Sequence, residues 1–217
     1  KQDSPHNNLG VLLEKHGQVD EAIAEYRRAI ELDPNQDYSH GNLGNALEKQ
    51  GKLDEAIAEY RRAIELNPQC NFAYCGIGWG LCQKGQLDEA MDACRTAIEI
   101  EPKSPHPHVN LGNALMQSGR LDEAIAEYRT AIELDPEFTI AHINLGDALS
   151  RQGEQELAVA EYRTAIEFEP ENIHAHSRLG DALLKQGQFD EAIDEYKKSI
   201  ELDPNSLRAH IDLGKAL

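Results

Sequence analysis

Between residues 40 and 64 the apolar and small residues fall at helical intervals. His40, Leu43, Gly44 and Leu47 are spaced i, i+3, i+4, i+7, and Leu53, Ala56, Ile57, Tyr60, Ala63 and Ile64 repeat that spacing after a break at Gly51. Two amphipathic helices are therefore expected, each with one apolar stripe. Asp54 and Glu55 in the first turn of the second helix favour its dipole. Pro68 stops that helix, because proline lacks the N–H and clashes with a continuing turn.

The same pattern returns along the whole chain. Proline falls at 34, 68, 102, 136, 170 and 204, a constant period of 34 residues. A Leu-Gly or Ile-Gly pair recurs at 9–10, 43–44, 77–78, 111–112, 145–146, 179–180 and 213–214. A turn glycine follows at 17, 51, 85, 119, 153 and 187, then an alanine, then a tyrosine at 26, 60, 128, 162 and 196, with Cys94 the exception. A fixed period of this length means a stack of similar units rather than a globular core. The expected units are 3–36, 37–70, 71–104, 105–138, 139–172 and 173–206, with 207–217 the first helix of a truncated seventh. One helical pair cannot bury its apolar stripe alone, so the copies must stack.

A 34-residue helix-turn-helix with Leu-Gly in the first helix, Gly at the turn, Ala and Tyr in the second and a closing Pro resembles the tetratricopeptide repeat. The resemblance covers residues 3–217. It implies an all-α fold, an α–α superhelix or solenoid of six helix-turn-helix repeats plus one further helix. It also implies first helices on the concave side, second helices on the convex side, and a protein that binds other proteins rather than turning over a substrate.

Charge divides unevenly over this arrangement. The second helices carry 29 of the 39 acids and 9 of the 21 bases, so the formal charge of −18 belongs mainly to the outer side. That argues for a solvated acidic face and against nucleic acid, whose phosphates it would repel. No apolar stretch is long enough to span a bilayer. No charged-then-apolar leader opens the chain, although it begins at Lys1 rather than Met, which leaves room for a leader or domain upstream. The expected setting is the cytoplasm.

On the first helices, the side away from the Leu-Gly stripe is a candidate groove. Asn8, Asn42, Asn110 and Asn144 stand two before the stripe glycine, and Asn45, Asn113, Asp147 and Asp181 one after it. Asparagine is a mediocre helix former, and its amide can both donate to and accept from a peptide main chain. Such a ladder resembles the inner surface of the O-GlcNAc transferase superhelix. The plain alternative is that copied repeats duplicate a neutral residue. Some three-repeat members of the family clamp a C-terminal carboxylate. Asn113, Asn144 and Arg178 match that pattern, but Val109 and His174 stand where it needs lysines.

Repeat three departs from its siblings in the stretch AYCGIGWGLCQKG. Gly76 takes the ladder position and Trp79 the groove position, and Gly76 and Gly80 are expected to clear space around the indole. Trp79 reads either as an anchor for a partner or as drift into vacated room. All four cysteines, 70, 75, 82 and 94, lie in this one copy. Their spacing lacks a metal knuckle, so thiols in a reducing compartment are expected. Six of the nine histidines, His6, His40, His108, His142, His176 and His210, recur at one stripe position, where repeat three has Tyr74, and read as packing residues. GIGWG resembles a phosphate loop, but its register is helical, with no strand before it and no Lys-Ser/Thr after it.

No nucleophile with a base partner stands out, so the expected function is a non-catalytic scaffold for a protein or peptide ligand, with no cofactor and no metal. The alternative is a substrate-recruiting arm of a larger enzyme such as a glycosyltransferase. Leu213 and Leu217 close the chain without a covering second helix, which suggests head-to-tail self-association. Gln155, where other repeats have an apolar residue, suggests a softer junction in repeat five.

Overall fold

The computed structural model describes residues 4–216. Thirteen helices follow one another among them: α1 Pro5–Lys15, α2 Val19–Leu32, α3 Asp37–Lys49, α4 Leu53–Leu66, α5 Asn71–Gln83, α6 Leu87–Ile100, α7 Pro105–Gln117, α8 Leu121–Leu134, α9 Thr139–Gln152, α10 Gln155–Phe168, α11 Ile173–Lys185, α12 Phe189–Leu202 and α13 Leu207–Ala216. The fold is an all-α solenoid of paired helices, six pairs and one helix more. No helix among the described residues is long and apolar enough to cross a membrane.

Local chemistry sets the ends of these helices. Asp33, Asn67 and Asp135 close α2, α4 and α8 in extended conformations, with φ of −145°, −142° and −142°. Each precedes a proline, whose ring excludes the helical region for the residue before it. The same side chains fold back onto the loop: Asp33 Oδ1 accepts from Asn35 N at 3.2 Å and Asn67 Oδ1 from Gln69 N at 3.1 Å. Within each pair the turn runs through one glycine in the left-handed region, such as Gly153 at φ 95°.

The chain divides into two compact units, Lys1–Ala114 and Leu115–Leu217. In the first, α2 packs between α1 and α3, and α4 between α3 and α5. In the second, α10 lies between α9 and α11, and α12 between α11 and α13. The backbones of consecutive first helices also approach one another, whereas those of α2 and α4, or α10 and α12, stay farther apart. First helices therefore line the inner side of each unit, and second helices the outer.

In four of the pairs the core is a tyrosine seated on a glycine of the first helix. The ring of fully buried Tyr60 lies against Gly44, where a Cβ would come within 2.7 Å of it. Tyr26, Tyr162 and Tyr196 repeat this on Gly10, Gly146 and Gly180, each with a ring atom 2.6 Å from where a Cβ would stand. Gly76 and Gly80 do not make room for Trp79. A Cβ on Gly76 would meet Tyr60 at 2.3 Å, and one on Gly80 would meet Ile57 at 3.2 Å. Their smallness lets repeat three close onto repeat two. Gln155 is also better anchored than expected. Its Nε2 donates to the Ser150 carbonyl at 2.9 Å, and its Oε1 accepts from Ser150 Oγ at 3.2 Å, which ties α10 to the end of α9.

Candidate interaction surface

Tyr26, Tyr60, Tyr162 and Tyr196 turn their hydroxyls toward the inner side of their units, where each must find an acceptor. The carboxylate that supplies one comes from the first helix, at either of two positions. Tyr26 donates to Glu14 at 2.8 Å and Tyr60 to Glu48 at 3.0 Å; Tyr162 donates to Asp147 at 2.7 Å and Tyr196 to Asp181 at 2.9 Å. Burial first, then the neighbouring carboxylate, pushes the pKa of these tyrosines well up, which keeps them donors.

In the first unit the inner face is held by amides. Asn42 Nδ2 donates to Asn7 Oδ1 at 3.0 Å, and buried Asn7 also accepts from Ser39 Oγ at 3.3 Å. Glu14 is a hub: its Oε1 takes Asn45 Nδ2 at 2.7 Å and Lys49 Nζ at 2.6 Å. Asn110 Nδ2 donates to the carbonyl of Cys75 at 3.2 Å, just where Gly76 leaves the ladder position without a side chain. Asn8 is exposed, while Trp79 and Asn113 are half-buried. The amides expected to face a ligand thus join neighbouring first helices as well.

In the second unit the same positions carry charge. Arg178 Nε lies 3.0 Å from Asp147 and its Nη1 3.8 Å from Asp181. Asp181 also receives Arg208 at 3.3 Å, and Arg208 reaches Asp212 at 3.4 Å. Asp212 in turn holds Lys215 at 2.7 Å. The result is an alternating ion-pair chain across α9, α11 and α13. Arg178 is therefore already engaged by two aspartates, so a carboxylate ligand would have to displace them.

Three clefts open on this face, of about 890, 400 and 150 Å³, and Arg178 lines all three. Asn144 and Asp147 line the middle one with Ile140, Ile143 and His174. Asp181 lines the smallest, beside Lys185 and Ser150.

One set of residues escapes a reading that treats histidines as packing alone. His142 Nδ1 stands 2.7 Å from Glu161 Oε2, and its Nε2 stands 3.0 Å from the Pro136 carbonyl. A carbonyl oxygen and a carboxylate only accept, so a ring with both N–H groups satisfies both. The hydrogen bond to Glu161 raises the pKa of His142 against the opposing effect of burial, and the Pro136 carbonyl helps. His176 repeats this with Glu195 at 2.6 Å and Pro170 at 2.9 Å, and its pKa rises for the same leading reason. His40 meets Glu59 and Pro34 with the same geometry. The signal was present in the sequence, since repeat three replaces both partners together, with Tyr74 for His and Ala93 for Glu. No group of three or more metal-ligating side chains gathers among the described residues.

Residues 4–206 match the family model described as the cilia and flagella-associated protein 70 C-terminal domain. The chain belongs to this family. Within this tetratricopeptide-repeat family fold, the chain is similar to solved structures of low identity. One is a chain of the APC/C hetero-tetramer Cut9–Hcn1, with a TM-score of 0.89 and 18% identity over 98% of this chain. The present chain spans 42% of that one. Another is TTC0263, a thermophilic tetratricopeptide-repeat protein of Thermus thermophilus, with a TM-score of 0.75 and 23% identity over 83% of this chain and 98% of that one. A third is YrrB, a tetratricopeptide-repeat protein with an unusual peptide-binding site, with a TM-score of 0.60 and 24% identity over 88% of this chain and 98% of that one. No curated protein matches the chain.

Proposed function

We propose that the chain is a non-catalytic interaction scaffold that holds an extended segment of a partner protein along its first-helix faces. The observation that carries this reading is the convergence of three clefts on Arg178 in the second unit. Asn144, Asp147, Arg178 and Asp181 there present an amide, carboxylates and a guanidinium within reach of a peptide main chain. Asn8, Asn42, Asn45, Asn110 and Asn113 offer the corresponding contacts on the first unit. This is a groove chemistry like that of the O-GlcNAc transferase array, and the peptide-binding site named for YrrB supports it by analogy. Two half-buried thiols without a disulfide, Cys70 and Cys75, suit a reducing compartment, and we place the protein in the cytoplasm. Burial pushes the thiol of Cys75 up to about 12, which keeps it protonated and unreactive.

The test is a peptide array probed with the intact chain, followed by affinity measurement on the best peptides by fluorescence anisotropy. Asn144→Ala with Arg178→Ala is expected to weaken them by roughly tenfold or more, about 1.4 kcal/mol or above. Unchanged affinity in a variant that melts normally would remove the second-unit face from the function.

A further inference from the structure

Glu14 and Glu48 occupy equivalent places on α1 and α3, yet they are differently served. Glu14 has a complete set of donors: Tyr26 at 2.8 Å, Asn45 at 2.7 Å and Lys49 at 2.6 Å. The last two come from 31 and 35 residues further along, on the next first helix. Counting the same distances from Glu48 arrives at Trp79 and Gln83 on α5. Among the described residues the one hydrogen-bond partner of the Glu48 carboxylate is the hydroxyl of Tyr60, at 3.0 Å. Lys49, its neighbour in sequence, has its ammonium on Glu14 instead. The register itself is general, since Lys185 Nζ reaches Ser150 Oγ at 2.9 Å across the same 35 residues in the second unit.

Glu48 is therefore a half-buried carboxylate that lacks the ammonium its equivalent enjoys. Where that ammonium would come from, repeat three supplies an indole. Trp79 is the only tryptophan of the chain and is half-buried on the inner side. Between them the ladder position is Gly76, which carries no side chain because the ring of Tyr60 lies 2.3 Å from where its Cβ would stand. Burial raises the pKa of Glu48, while the Tyr60 hydrogen bond and the charge of Lys49 oppose that rise. This is the signature of a carboxylate short of compensating charge.

We propose that Glu48 and Trp79 form a subsite for the lysine side chain of an extended partner segment. The carboxylate takes the ammonium, as Glu14 takes that of Lys49, and the indole face covers the methylene stem and the cation. The chemistry of the occupant is read from the molecule's own filled copy of the site, which holds a primary ammonium. The proposal rests on the reading of the first-helix faces as segment-binding, and it adds a side-chain preference to them in the first unit.

Because Trp79 is the sole tryptophan, its emission reports this subsite alone. The intact chain is titrated with two nonapeptide pools, randomised around a central lysine or a central norleucine, while tryptophan fluorescence is followed. The lysine pool is expected to give a saturable change at roughly tenfold lower concentration than the norleucine pool. Glu48→Gln, which keeps an acceptor for Tyr60, is expected to make the two pools equal. Gln83→Lys is expected to place an internal ammonium on Glu48 and block the lysine pool. Thermal melts like that of the unaltered chain establish that both variants fold. Equal response to the two pools overturns the lysine subsite but leaves segment binding standing. A lysine preference that survives Glu48→Gln, or no tryptophan response to either pool, also overturns it. Segment binding as such is judged separately by the anisotropy measurement on the variant carrying Asn144→Ala with Arg178→Ala.

Discussion

The pairs α5–α6 and α9–α10 are the same element two repeats apart, and they are held together differently. In α9–α10, His142 bridges Glu161 and the Pro136 carbonyl. Tyr162 fills the space over Gly146 and hands its hydroxyl to Asp147, which in turn holds Arg178. In α5–α6, Tyr74 and Ala93 stand in place of the histidine and glutamate, Cys94 replaces the tyrosine, and Trp79 replaces the aspartate. Cys94 still fills the glycine seat, for a Cβ on Gly78 would come within 2.5 Å of its sulfur. The lesson is that in repeat three these positions have changed together. Remove the histidine and its acid has no task; remove the tyrosine and the groove carboxylate that received its hydroxyl goes with it. Repeat three lost both polar pins, and its inner face became free to carry an indole.

The largest effect that separates the two pairs should be at the ring itself. Tyr162→Ala deletes a fully buried aromatic side chain and should cost about 3 to 5 kcal/mol in urea unfolding, whereas Cys94→Ala should cost about 1 kcal/mol. Similar losses at the two sites would show that the pairs are more alike than their contacts suggest.

The histidine pin gives the next effect. Glu161→Gln should cost about 1.5 to 3 kcal/mol, the range for a hydrogen bond to a charged group. The pin should also make stability depend on pH. Because the folded state raises the pKa of His142 and His176 above about 6.5, their contribution is fully present below that value and is lost as pH rises through the raised one. Unfolding curves at acid and alkaline ends of that window should converge in the Glu161→Gln, Glu195→Gln double variant. A pH dependence that persists unchanged in it would assign the effect elsewhere.

The smallest effect lies on the outer side. Arg163 pairs with Glu191 at 2.9 Å and Arg27 with Glu55 at 3.4 Å, each linking consecutive second helices. Leu157, 49% exposed, takes the glutamate's place opposite Arg129. Leu157→Glu should restore the pair and add only about 0.3 to 0.5 kcal/mol, since both groups are exposed. A gain above about 1 kcal/mol would mean that exposed Leu157 was itself a source of strain.

The solenoid was legible because its evidence is local: apolar spacing, turn glycines and closing prolines each act within a few residues. The inner face was only partly so. That Asn42 and Asn45 lie on the ladder followed from the period, but that they donate to Asn7 and Glu14 did not, because those bonds span 35 and 31 residues and depend on how one repeat seats on the next. Gly76 was misread for the same reason. From within its own helix it borders Trp79; across the seam it borders Tyr60, and the seam decides. Arg178 matched a carboxylate-binding pattern by position, yet Asp147 and Asp181, one repeat apart, hold it first.

The turns between paired helices leave a consequence in chirality. At Gly51 and Gly153, with φ of 73° and 95°, no atom lies within 4 Å of where a Cβ would be built. Space is therefore no obstacle to a side chain there; only the handedness of natural amino acids is. A mirror-image alanine prefers that same region of backbone space, so it would fit both turns without strain and would stiffen the unfolded chain where glycine leaves it loose.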